Sequence, residues 1–377
     1  METEYLKSFR QNLHKQPELS GSEKNTAKTI VSELKKYNPS KIITNLAGFG
    51  VIAIFDSNKK GKTIVFRAEL DALPIQETNT FPHASKTSHV SHKCGHDGHS
   101  TILIGLAQAL QKSPLKKGSV VLLFQPAEET GQGAKAILQE TKFTNLKPDF
   151  VFALHNVPGY KKGTIICKPD TFTPSVVSLA IILKGKTSHA AEPEHGINPD
   201  LALHELIYKI KMLANPNQSK EDFSTIATVY ACLGSKDYGI SAGEGELHFT
   251  IRTWTPKQLE ILKQAIKNLT QEICSIHNLN FEIDWFQEFS ANRNNQDAFD
   301  IIESAAKSNH FKFINKEHPF KWGEDFGLFT QHYKGAMFGL GAGTETPALH
   351  NPDYDFPDDI TSYGVTMFHT ILKLIYA

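Results

Sequence analysis

Lys62-Thr63-Ile-Val-Phe-Arg67-Ala-Glu69-Leu-Asp71 carries the pattern that decides the fold. Thr63 to Ala68 reads as a short β-rich run, and the acids Glu69 and Asp71 follow where the run ends. Val51 to Phe55, Val120 to Phe124 and Phe150 to Leu154 have the same character, with a helical pattern at Ile102, Leu103, Leu106 and Leu110 between them. Strands alternating with helices predict an α/β sheet. Ligands of such sheets gather beyond the carboxyl ends of the strands, and the polar residues here follow that rule. Glu128 and Glu129 come just after Val120 to Phe124 and the Gln125-Pro126 step, His155 ends Phe150 to Leu154, and Cys94 and His96 precede the helix of Leu103 and Leu106. Separate segments thus deliver acids, imidazoles and a thiol to one edge.

Upstream, Leu6, Phe9 and Leu13 recur at helical spacing, and Ser20-x-x-Glu23 predicts a capping box before Ala27, Ile30, Val31 and Leu34. Downstream the pattern changes near Val176. Strand Val176 to Leu183, helix Leu201 to Leu213, strands Thr225 to Cys232 and Glu246 to Thr253, a long helix and strand Phe281 to Phe286 give the order βαββαβ, the ferredoxin-like split arrangement. Thr255 as N-cap with Pro256 at the first helical position starts that second helix. After Asn292 the pattern returns to the first domain, with helix Phe299 to Ala306, strand Ala336 to Leu340 and a closing helix from Ile360. The expected organisation is a mixed α/β domain over 1–175 and 288–377 that carries an inserted domain over 176–287.

A chain of 377 residues fits two domains. Its 40 Lys+Arg balance 40 Asp+Glu, which argues against a nucleic-acid footprint and leaves a small molecule as the expected partner. The first residues lack the basic start and apolar stretch of a signal peptide, and no run approaches membrane-spanning length, so a cytoplasmic protein away from the membrane is expected. The cysteines at 94, 167, 232 and 274 show no disulfide spacing. Cys167, Cys232 and Cys274 read as small buried hydrophobes. Cys94 stands apart, among His, Gly and Asp.

Cys94-x-His96 places a thiol and an imidazole on one turn, within reach of one metal or two neighbouring ones. With Glu129, His155 and His350 the candidate ligands exceed one tetrahedral zinc site and suit two metals with a bridging group, which a thiolate can supply. His99 reads as a cap or a support for those ligands. The pair Glu128-Glu129 invites a division of labour: neighbouring side chains diverge in an irregular loop, so Glu129 can bind metal while Glu128 faces the attacking water.

Arg67-Ala-Glu69-Leu-Asp71-Ala-Leu-Pro74, Cys94-Gly-His96-Asp97-Gly-His99, Phe124-Gln-Pro-Ala-Glu128-Glu129, Gly185-Lys-Thr-Ser-His189-Ala, Glu324-Asp325-Phe326 and Leu349-His350-Asn-Pro-Asp-Tyr-Asp355-Phe together resemble the family of aminoacylases, hippurate hydrolases and auxin-conjugate hydrolases. The match runs nearly end to end. It implies hydrolysis of N-acyl amino acids or similar small amides, with the inserted domain serving as lid and dimerisation domain of a homodimer. It also implies two divalent ions, of manganese, zinc, nickel or cobalt. Cys94 would bridge them, Glu129 and His350 completing one and His96 and His155 the other. Glu128 would be the general acid/base, Asp71 would orient a metal ligand, and His189 would reach the neighbouring subunit's site to steady the oxyanion.

This chain departs from that family at three places. Glu69 replaces the usual Asp, and Ser91-His92-Lys93 replaces an apolar-His-small triplet. The lid segment that normally reads Asn-Val-Ile-Pro is replaced near Tyr238-Gly-Ile-Ser-Ala242. Arg252, on the following strand, is a candidate for pairing with a substrate carboxylate. Two other classes compete: a thiol hydrolase with Cys94 as nucleophile and His96 or His99 as base, and a non-catalytic homologue that only binds a metal, ligand or partner. The first leaves the two glutamates without a role.

Overall fold

The computed structural model describes residues 3–377. Two compact units divide the chain, Met1–Phe172 with Asn292–Glu317 and Glu324–Ala377, and Thr173–Ala291 with His318–Gly323. The short His318–Gly323 addition to the second unit has no counterpart among the sequence expectations.

The first unit is built on an eight-stranded mixed sheet in the order Lys41–Leu46, Gly50–Asp56, Ser119–Gln125, Thr63–Glu69, Phe150–Pro158, Gly335–Gly343, Ile165–Cys167, Phe313–Asn315. Its centre is parallel: Val65 lies opposite Val121 on one side and Val151 on the other, and Phe152 opposite Ala336. Parallel strands buried on both faces need continuous apolar runs, and these strands have them. Phe66, Leu122, Phe152 and Phe338 point to one face and pack with Leu6, Phe9, Ile102, Leu106, Ile302 and Phe368 from the helices. The alternate residues Val65, Val121, Leu123, Val151 and Met337 are equally buried. Because the central strands share a direction, their carboxyl ends lie on one edge, where Glu69 is paired in register with Gln125.

The second unit has an antiparallel sheet in the order Ser224–Leu233, Glu244–Thr253, Ser175–Lys184, Asn280–Phe289, with helices Asp200–Met212 and Pro256–Ile276. This is the βαββαβ order. Leu179, Ile181, Leu247, Phe249 and Ile251 bury one sheet face together with Leu206, Ile210, Leu262 and Ile266. The Thr255 hydroxyl oxygen accepts the Gln258 N–H at 3.2 Å, with Pro256 opening the helix.

Two local expectations fail for physical reasons. Ser20 and Glu23 form no capping box: the Ser20 hydroxyl donates to Asp71, and Glu23 accepts from Gly21 and Ala127. The Lys24–Leu34 helix is capped instead by Glu18, whose carboxylate accepts the Asn25 and Thr26 N–H groups at 2.8 Å each. Cys232 is only partly buried, because it lies on the edge strand Ser224–Leu233, whose second half is largely exposed. No helix among the described residues is long and apolar enough to cross a membrane.

Candidate metal centre

Glycine geometry and two carbonyls aim the first donors. Gly95 has φ 94°, and a Cβ there would sit 2.5 Å from the Asn156 side-chain oxygen, so Cys94 can enter the His96–Lys112 helix only through a glycine. The ring of His96 donates from Nδ1 to the Asp71 carbonyl at 2.9 Å, and His155 donates from Nδ1 to the Asn156 carbonyl at 2.8 Å. Both rings are thereby locked with Nε2 as the free donor atom. His155 Nε2 lies 3.4 Å from Cys94 Sγ.

The two glutamates are separated by a strained turn. Ala127 has φ 53°, in the left-handed region that costs a residue with a Cβ of order 1–3 kcal/mol. Its N–H donates to Glu23 at 2.8 Å and its carbonyl accepts from Gly133 at 2.9 Å, which over-determines the turn. The side chains then diverge. The Glu128 carboxylate takes the Asp325 N–H at 3.3 Å. The backbone of Glu129 donates to Asp71 Oδ2 at 3.0 Å, while its Oε1 lies 3.8 Å from His96 Nε2 and 4.0 Å from His350 Nε2. His350 stands on a turn with φ 67°, and its N–H donates to the Lys93 carbonyl at 2.8 Å.

Donor atoms of Cys94, His96 and His155 all lie within 4.8 Å of one another, and so do those of Cys94, Glu129 and His350. Two triads therefore share one thiol. His96 Nε2 and Glu129 Oε1 are buried and have no hydrogen-bond partner among the described residues, although they face each other. Such atoms are costly unless a ligand completes them. The charge pattern agrees. Burial, reinforced by Glu129, pushes the Cys94 thiol well up; burial with Glu324, Glu129 and Asp325 does the same to Glu128. Glu129 rises to about 7 through burial, which His96 opposes and Asp71 reinforces. His155 is held well below the usual imidazole range by burial and by His99, the state in which it ligates. His96 is raised despite burial, by Cys94 and Asp71, which marks a place where the surroundings favour a cation. Thiol, imidazole and carboxylate donors with this charge pattern fit a pair of divalent ions.

Two buried polar networks hold these residues. Arg67 donates to Gln125 at 2.9 Å and Asp325 at 2.6 Å, contacts Glu324 at 2.9 Å and binds Glu69. Glu69 accepts from His99 at 2.7 Å, and His99 meets the Asn156 side chain, so His99 supports the site from behind. The second network joins Arg10, His14, Asp97, Glu77 and Lys93. Sequence reasoning missed Arg10, His14 and Glu77. A signal existed for the first two: they share the buried stripe of Leu6, Phe9 and Leu13 on the Thr3–His14 helix, where a charge needs a partner.

His189 and Arg252 belong to the second unit. His189 is exposed on the short strand Ser188–His189, where its Nδ1 accepts the Ala191 N–H at 3.0 Å. The neutral ring then carries its proton on Nε2. Its strand partner is Ile240, within the altered Tyr238–Ala242 segment, so the departure lies directly beside this histidine. Arg252 is partly buried in the Glu244–Thr253 strand, between Thr225 and Val176 in register.

A model of peptidase family M20/M25/M40 matches residues 65–374. N-acetylcysteine deacetylase of Bacillus subtilis is 28% identical over 372 residues, covering 98% of this chain and 96% of its own. N-acetyldiaminopimelate deacetylase of Exiguobacterium sibiricum is 29% identical, covering 94% of this chain and 95% of its own. A crystal structure from Bacillus subtilis, described as a dinuclear metal binding peptidase of the M20 family, superposes with a TM-score of 0.84 at 26% identity, over 99% of this chain and 98% of that one. The chain belongs to peptidase family M20/M25/M40, with the mixed α/β catalytic sheet and split-βαβ second unit described above.

Proposed function

We propose that this hydrolase cleaves the amide bond of N-acyl amino acids, or similar small amides, at two divalent ions that share Cys94. The observation that carries this reading is the pair of donor triads meeting at one thiol, with Glu128 beside them. Glu129 and His350 complete one position, and His96 and His155 the other. When bound, the ions polarise the scissile carbonyl and lower the pKa of water from about 15.7 toward about 7. Glu128 takes the proton of the attacking water and returns it to the leaving amine; its raised proton affinity suits both halves of that task. Asp71 fixes His96 through its carbonyl and the Glu129 backbone through Oδ2.

Thiol and imidazole donors suit zinc, nickel or cobalt, and the carboxylates admit manganese. The second unit carries two further candidates. His189 presents an Nε2–H suited to an oxyanion. Arg252 has no hydrogen-bond or ion-pair partner in the described residues, and burial lowers its pKa, so a substrate carboxylate would satisfy it. A homodimer through this unit is supported by the exposed Leu201, Tyr208 and Met212 along one face of Asp200–Met212, next to the edge strand with exposed Val229 and Tyr230. Four free thiols support a cytoplasmic setting.

A thiol-nucleophile reading has the Cys94–His155 approach in its favour. Burial and Glu129 nevertheless keep that thiol protonated at neutral pH, and it leaves Glu128 without a task. Acetyl, benzoyl and longer acyl amino acids, assayed for free amine with each candidate metal, test the reading together with Glu128→Gln. The expected result is release of amine by the wild type and a loss of about 10²–10⁴ in turnover for the variant at unchanged metal content. Unaltered turnover in Glu128→Gln would remove that residue from the mechanism.

A further inference from the structure

Lys93 stands immediately before Cys94, and the structure buries it completely. A buried ammonium needs a full set of acceptors, and both ends of this residue are engaged. Its Nζ donates to Glu77 at 2.5 Å and to the Tyr354 carbonyl at 2.7 Å. Its own carbonyl accepts the His350 N–H at 2.8 Å. One residue thus grips the 350–354 turn at its beginning and at its end, and that residue is bonded directly to Cys94.

The turn needs such a grip. His350 holds a φ of 67°, its side chain is 54% exposed, and the ring makes no contact closer than 4.0 Å to Glu129 among its ion-pair neighbours. Among the described residues its ring has no hydrogen bond like those that the Asp71 and Asn156 carbonyls accept from His96 and His155. Further along the turn, the Tyr354 N–H returns to the Asn351 carbonyl, and Asn156 donates to the Tyr354 hydroxyl. A displacement of Tyr354 would therefore move the His350 backbone rather than be absorbed between them.

We infer that Lys93 is the positioning residue of the Cys94–Glu129–His350 metal position, holding the His350 turn at the distance from Cys94 that lets both reach one ion. The inference rests on the two-metal reading proposed above. It separates the two positions: the Cys94–His96–His155 triad takes no donor atom from the 350–354 turn, whereas the Cys94–Glu129–His350 triad does.

The test compares wild type, Lys93→Met and Glu77→Gln as full-length protein, each loaded with cobalt and desalted. Metal per chain is counted by elemental analysis, the thiolate-to-cobalt absorption is recorded, and folding is followed by circular dichroism. Lys93→Met is expected to weaken one position at least tenfold and retain about one ion per chain with the thiolate band intact. Glu77→Gln keeps the Lys93 bond to Tyr354, so it is expected to retain both ions, with a lower melting temperature. Two ions of wild-type affinity in Lys93→Met would overturn the inference, and so would equal metal loss in Glu77→Gln, which would trace the effect to stability of the network. A wild type that takes up no cobalt would instead overturn the two-metal reading itself.

Discussion

His14 offers a way to measure the buried network that braces the Cys94–Asp97 segment. Its ring is fully buried, with Nδ1 2.8 Å from Asp97 and Nε2 3.2 Å from Glu77. Burial alone would pull the imidazole down, but Asp97 and the hydrogen bonds to Asp97 and Glu77 outweigh it and raise the pKa from 6.5 to about 9. At about 1.4 kcal/mol per unit, a shift of that size stabilises the folded state by about 3 kcal/mol. Because the folded value lies above the unfolded one, this stabilisation is complete below pH 6.5 and is lost as pH rises to about 9. The matching perturbation is His14→Gln, which keeps a donor and similar volume but has no proton to lose. The stability difference between wild type and variant should be constant in mild acid, shrink by about 1.4 kcal/mol per pH unit above pH 6.5, and level off beyond about pH 9. Urea unfolding at equal metal concentration measures it. The signal should be circular dichroism, since all 3 tryptophans, Trp254, Trp285 and Trp322, lie in the second unit. A difference that stays flat across this range would show that Asp97 and Glu77 do not hold the proton on His14, as would an imidazole pKa for His14 near 6.5 by NMR.

Other consequences are open to single substitutions. Arg67→Met leaves Glu69, Glu324 and Asp325 buried without their shared cation, and should cost about 3–5 kcal/mol in chemical unfolding. Glu23→Ala removes the acceptor of the strained Ala127 N–H; a loss of about 1–3 kcal/mol is expected, and Ala127→Gly in the same background should recover part of it by relieving φ 53°. Recovery by Ala127→Gly would be absent if the turn were not strained.

The parts of the fold that follow from local pattern were legible in the sequence. Phe66, Leu122, Phe152 and Phe338 lie in runs whose apolar character reflects burial on both sheet faces, and Thr255-Pro256 announces a helix start within two residues. The strands Lys41–Leu46, Ile165–Cys167 and Phe313–Asn315 were not legible: Lys41–Leu46 and Phe313–Asn315 lie partly exposed at the sheet's margins, and Ile165–Cys167, though buried, is three residues long, so none leaves a period to read. In the site, the motifs around Cys94 and Glu128 name residues that the fold does gather, and His350 joins them from a distant turn. What ties that turn to the cysteine is Lys93, and Arg10, on the Thr3–His14 helix, pairs with Asp355 and Asp358 from near the other end of the chain. Partners so far apart carry no spacing signal, and the Ser20–Glu23 spacing suggested a local cap where both side chains serve long-range contacts.

In the function proposed above, amide hydrolysis requires two divalent ions sharing Cys94. Its most direct test is stepwise metal return to chelator-treated protein, following bound metal per chain and amine release from an N-acyl amino acid together. The metal-free protein should show no turnover, metal return should saturate at two ions per chain, and Cys94→Ser should hold metal more weakly and lose the thiolate absorption with cobalt. Full turnover without metal, or full turnover with Cys94→Ser at unchanged metal affinity, would contradict it.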